Sequence, residues 1–143
     1  MAQFHRNYHI NDSYGNADST KKYGPLYTWE AANVSCPEGW HLPSDSDWKT
    51  LERSLGMSDF DVDKFGFSEK RGVDQKLGIR LQKGGDIGFN FVIMEADNAQ
   101  ETWTSSDYDD NRKIVRSFSR NDNSLYRANN GIGVGLCVRC IKD

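Results

Sequence analysis

Three histidines, three cysteines and three prolines are all that this 143-residue chain holds of those types, and each scarcity removes a class of protein. Three cysteines cannot build a dense disulfide framework, and at this length none is needed, because a domain of this size buries roughly 70% of the surface its unfolded chain exposes. Three histidines leave little for metal or general-base chemistry. The longest apolar run, Phe91 to Met94, falls far short of the roughly 20 residues that span a bilayer. The first 30 residues lack the apolar stretch of a signal peptide. Eighteen Lys and Arg face 21 Asp and Glu, a net charge of −3 without a basic cluster, which argues against a nucleic-acid partner. What is abundant is aromatic: 4 Trp, 6 Tyr and 7 Phe must supply much of a core in which Leu, Ile, Val and Phe together number only 29.

No internal repeat is present, and the length fits one domain. Residues 1–25 are polar, without helical or strand period, and read as a loosely structured arm ahead of a domain over 26–143. A short helix is expected from Thr28, as cap, to Cys36, with Trp29, Ala32 and Cys36 at helical spacing before Pro37 and Gly39. A second helix is announced by the S-x-x-D box of Ser44 and Asp47, with Trp48, Leu51 and Leu55 on one face and Gly56 as the stop. Between them, Gly39 to Pro43 reads as extended. From Phe60 to Gly88 the pattern is ambiguous, with one short helix or strand near Leu77 to Leu81. Strands are expected at Phe89–Met94, Thr102–Ser105, Ile114–Phe118, Leu125–Ala128 and Val134–Ile141. Helices first and an antiparallel sheet afterwards make the class α+β.

Cys137 and Cys140 spell C-x-x-C, but the strand period places Val134, Leu136, Val138 and Cys140 on one face and Cys137 with Arg139 on the other. Three residues along a strand separate the two Cα atoms by about 10 Å, beyond the ~7 Å reach of a disulfide. Cys140, on the apolar face, could instead meet Cys36. Asp59, Asp61 and Asp63 form D-x-D-x-D, yet Lys64 stands where a calcium loop needs Gly, so a solvated acidic loop is expected. His5 and His9 are spaced for zinc on a helix but lie in the arm without a third ligand, and His41 reads as a structural histidine. Nucleophile elbows, zinc-protease helices and phosphate loops are absent, and neither an enzyme nor a cofactor or metal is expected.

The run Leu26 to Ala32, then Cys36-Pro37-Glu38-Gly39-Trp40-His41-Leu42-Pro43-Ser44, then Asp47, Trp48 and Leu51, resembles the opening of the Fibrobacter succinogenes major paralogous domain. The ending Cys137 to Asp143 is similar to that family's close, with Cys137 where Ser is usual. These anchors in turn resemble the C-type lectin-like layout, in which a helix ends in Cys, a short strand leads to a second helix, and the last strand carries the partner Cys. The resemblance implies a C-type lectin-like fold, two helices packed on antiparallel sheets with long loops, and a Cys36–Cys140 disulfide. The E-P-N, Q-P-D and W-N-D motifs of calcium-dependent lectins are missing.

Some domains of this family are diversified by retroelements, whose adenine-directed mutagenesis of AAC or AAT codons cannot yield Lys, Glu, Gln, Trp or Met. Residues 1–106 hold 24 residues of those five types; at that rate the 28 residues from Asp107 to Val134 would hold about six, and they hold one, Lys113. The same stretch mixes rigid aromatics, Arg and adaptable amides in the manner of a paratope. A recognition module is therefore expected, binding a protein or glycan partner on a cell surface through Tyr108, Asp110, Arg112, Arg116, Phe118, Arg120, Asn121, Asn123, Tyr126, Arg127 and Asn129. It would be displayed extracellularly, on a bacterial surface or phage particle. The alternative is a non-variable secreted or cell-surface domain of the same family with a structural or adhesive role.

Overall fold

The computed structural model describes residues 4–6, 13–14, 26–94 and 97–143. The chain forms β1 (Phe4–Arg6), β2 (Ser13–Tyr14), β3 (Leu26–Tyr27), α1 (Trp29–Asn33), β4 (Trp40–His41), α2 (Asp45–Ser54), α3 (Asp59–Val62), α4 (Leu77–Arg80), β5 (Ala99–Asp109), β6 (Arg112–Ser119), β7 (Leu125–Gly131) and β8 (Arg139–Lys142). All strand pairings between these elements are antiparallel: β1-β8-β4, β2-β3 and β5-β6-β7. The architecture is α+β, as expected.

Local chemistry explains the helices. Ser44 Oγ accepts from the Asp47 amide while the Asp47 carboxylate accepts from the Ser44 amide, the full capping box. Thr28 caps α1, but the helix stops at Asn33, short of the expected Cys36; the Ser35 hydroxyl donates to the Ala32 carbonyl and competes with the ladder that would continue it. The expected acidic loop is instead a turn of helix, α3, capped by Ser58, in which each aspartate neighbours a cation. The segment near Leu77 is helical. Phe89 to Met94 alternates buried and exposed positions like a strand but forms none; Asn90 at φ +54° breaks the extended path, leaving a single bridge from Phe91 to Gln82.

The arm differs from expectation where it is described, since Phe4–Arg6 pair with β8 and Ser13–Tyr14 with β3. The pairing extends the sheet across the proposed boundary at residue 25. His5 thus lies on a strand, which removes the helical zinc spacing, and His9 lies outside the described residues.

Two clusters form the core. Trp48, Leu51, Leu77, Phe91, Phe118 and Leu125 gather under α2; Tyr27, Ala32, Trp103, Val115, Val138 and Cys140 gather under α1. The expected strand Val134–Ile141 is ladder-paired only as β8, but the alternation upstream of it holds: Leu136, Val138 and Cys140 lie in the second cluster and Cys137 against the first, while Val134 lies outside this pattern and is exposed. Cys36 and Cys140 are joined, their Cα atoms 5.8 Å apart, and Cys137 is outside that disulfide.

The β6–β7 turn rests on α4 at Gly78, whose amide donates to the Asn123 carbonyl. A Cβ at Gly78 would sit 2.3 Å from the Ser124 carbonyl oxygen and 2.5 Å from that of Asp122, both backbone atoms with no room to yield. Gly78→Ala should therefore cost about 1–3 kcal/mol of unfolding free energy in urea titration, the range of overpacking. A change within 0.3 kcal/mol would contradict the close approach.

Candidate functional site

The last sheet is anchored by charge. Asp45 and Glu52 lie on the same stripe of α2 as Trp48, and Arg116 on β6 and Arg127 on β7 are directly opposite each other. Glu52, fully buried, accepts from Arg71 (2.9 and 2.9 Å) and from Arg116 (2.9 and 3.0 Å); Asp45 accepts from Arg116 at 2.7 Å and from Arg127 at 2.8–3.2 Å. Burial pushes both carboxyl groups up, but the guanidinium contacts outweigh it: Arg116 and Arg71 hold Glu52 below its ordinary range, and Arg127 and Arg116 hold Asp45 far below.

This network fixes the ground on which an exposed aromatic face stands. Arg127, held by Asp45 and the Asp63 carbonyl, lies 5.3 Å from the Phe65 ring centroid. Phe65 stacks on Tyr108 at 5.1 Å with the planes 8° apart, and Arg112, ion-paired with Asp109, covers Tyr108 at 4.9 Å. The Gly66 amide donates to the Arg127 carbonyl and the Leu125 amide to the Arg71 carbonyl, so residues 66–71 run along the outer edge of β7. They carry Phe67, which is 57% exposed and 5.6 Å from Tyr126, and Lys70, whose ammonium bonds the Tyr126 hydroxyl and Asp122. Farther out, Phe60 is 80% exposed beneath Lys64.

The eleven residues expected to contact ligand divide into four groups. Tyr108, Asp110 and Arg112 are exposed at the β5–β6 hairpin; Arg120 and Asn121, exposed, and Asn123, half-buried, sit on the β6–β7 turn, roughly 23 Å away along β6. Arg127 and Asn129 are half-buried on β7. Arg116 and Phe118 are corrections, as is most of Tyr126. Arg116 and Phe118 expose nothing, one inside the Glu52 network and the other stacked on Phe91 at 4.1 Å, and Tyr126 offers only its rim. Sequence reasoning missed Phe60, Phe65, Phe67, Lys64 and Lys70. The signal available was a set of phenylalanines in a Gly- and charge-rich stretch with no core period to absorb them.

Among the described residues no group of three His, Cys, Asp or Glu could hold a metal. His41 is exposed rather than packed, its Nδ1 2.7 Å from Asp143 Oδ1 and its Nε2 3.0 Å from Asp47 Oδ2. Burial favours the neutral ring, but the hydrogen bonds and charges of Asp143 and Asp47 outweigh it and raise the imidazole above its ordinary value. The protonated clamp is thus complete at low pH and is released as pH rises through the raised value. Asp143→Asn should lower the midpoint of the His41 ring-proton NMR titration; an unmoved midpoint would deny the contact.

No curated protein and no solved structure matches the chain. The capping box, the paired cysteines, the aromatic face and the β8 pairing all fall within residues 4–142, the span matched by the Fibrobacter succinogenes major domain, and the chain belongs to that family.

Proposed function

We propose that the protein is an exported recognition module with a C-type lectin-like fold, binding a protein or glycan partner on a cell surface without catalysis. The observation that carries this reading is the Phe65–Tyr108 stack, flanked by Arg112 and Arg127 and held from beneath by Asp45. Rigid rings and planar donors on a fixed support are the composition of binding hot spots. The lectin-like layout is supported by the order helix, Cys36, short strand, capped helix, and by the tie from Cys36 to the last strand. Export is supported by that disulfide, a bond that persists in oxidising compartments.

The burial of Arg116 and Phe118 favours the fixed form of the module over a diversified one. A randomised codon at Arg116 would leave Glu52 and Asp45 short of a cation in the core, so variation finds room only near residues 108–112 and 119–123. A near-copy of the last third differing only at adenines, beside a reverse-transcriptase gene, would overturn the fixed form.

The binding test is a paired screen on glycan and surface-protein arrays of the wild type and a Phe65→Ala/Tyr108→Ala/Arg112→Ala variant. We expect at least one specific ligand, bound some 30-fold or more weaker by the variant, the loss of about 2 kcal/mol typical of a hot spot. Equal binding by a variant with a native unfolding midpoint would sink the reading.

A further inference from the structure

The β6–β7 turn forms one wall of an open groove of about 520 Å³, within the roughly 300–1,000 Å³ of small-molecule sites. Its opposite wall carries Lys70 and Val73. The turn is held rigidly: Ser124 Oγ accepts from the Arg71 amide, the Ser124 amide donates to Asp122 Oδ1, and the Gly78 amide donates to the Asn123 carbonyl. Asn121 takes the left-handed conformation, φ +59°, at its apex.

The groove's charges are already satisfied. Lys70 donates to Asp122 Oδ2 at 3.2 Å and to the Tyr126 hydroxyl at 2.5 Å, and Arg120 donates to the backbone carbonyls of Ile93, Met94 and Asp97. An anion would have to displace these acceptors and approach the Asp122 carboxylate. An apolar ligand would find only Val73. By contrast, the side-chain amides of Asn121 and Asn123 have no hydrogen-bond partner among the described residues, and each offers two donors and one acceptor. Such amides match vicinal hydroxyl groups, which both give and take hydrogen bonds. Beyond Lys70, the exposed Phe67 ring, packed against the buried Tyr126, offers a face suited to the weakly positive C–H face of a sugar ring. A peptide strand cannot add here, because residues 66–71 already occupy the outer edge of β7.

We infer that this groove is a metal-independent binding site for a neutral saccharide, gripped by the amides of Asn121 and Asn123 beside the Lys70–Asp122 pair. It is distinct from the Phe65–Tyr108 face and stands whether or not that face binds a partner.

The test follows the Asn121 and Asn123 side-chain amide signals by NMR during titration with maltose, cellobiose, lactose, xylobiose and mannobiose in the presence of EDTA, with inorganic phosphate and galacturonate as anionic controls. At least one neutral sugar should shift both signals saturably at millimolar concentration, and phosphate should not. In an Asn121→Gly/Asn123→Ala variant, which keeps the left-handed apex and the backbone bond to Gly78, ring-proton shifts at Tyr126 should report binding at least tenfold weaker, with an unchanged urea midpoint as the check on folding. The Phe65→Ala/Tyr108→Ala variant should bind the sugar as the wild type does. Absence of a saturable shift with every sugar, equal shifts with phosphate or galacturonate, or undiminished binding by the double variant would each overturn the assignment.

Discussion

Replacing Glu52 with Gln should lower the unfolding free energy by about 3–5 kcal/mol, the usual consequence of removing one partner from a buried ion pair. Glu52 is fully buried, and its two oxygens accept four hydrogen bonds from two guanidinium groups that can only donate. Gln keeps the shape but turns an NH2 toward those donors and removes the negative charge between them. Arg116 would retain Asp45, and Arg71 would retain the carbonyls of Leu125 and Val62, neither a substitute for a full charge. The sign with pH follows from the depressed carboxyl groups. The stabilisation is complete above the ordinary carboxylate values of 4.5 for Glu52 and 3.8 for Asp45 and drains away as pH falls through their lower folded values. Urea titrations at neutral pH and across the acid limb measure both effects, and Glu52→Gln should shallow the acid limb. A loss under 1 kcal/mol would mean that the network is solvated.

Opening the Cys36–Cys140 bond, by reduction or by a Cys36→Ser/Cys140→Ser variant, should cost about 2–5 kcal/mol. The two residues are 104 positions apart, so the bond denies the unfolded chain every arrangement in which they lie apart, and the chain-entropy account gives roughly 4–5 kcal/mol for a loop near that length. Native protein should titrate with one thiol, Cys137, and reduced, unfolded protein with three. A reduced protein with an unchanged urea midpoint would show that the link carries no stability.

The parts of the fold written in short-range chemistry were legible from the residues. Ser44 and Asp47 declare a helix within four positions, and alternation along Leu136, Val138 and Cys140 sorts the last strand between two clusters. What could not be read was long-range. Arg116 lies 64 residues from Glu52, and in its own neighbourhood it looks like any polar residue on a half-exposed strand. The residue types of its stretch place it on a binding surface, as they do Phe118, whose burial depends on Phe91 and Trp48 arriving from elsewhere. The face itself was half visible: Tyr108, Arg112 and Arg127 stand out by type, whereas Phe65 and Phe67 join them only because residues 66–71 lie along β7.

The opposition of Arg116 and Arg127 bears on how the molecule assembles. A hairpin of β6 and β7 alone would place two guanidinium charges side by side with nothing to neutralise them, a pairing that repels. Their counter-charges come from a helix far earlier in the chain. Helix and hairpin therefore stabilise one another through contacts of long sequence separation, and such contacts slow folding relative to a fold built from local ones. The same dependence makes the last third a poor module to excise or graft: taken from α2, it loses the partners that let its strands lie together.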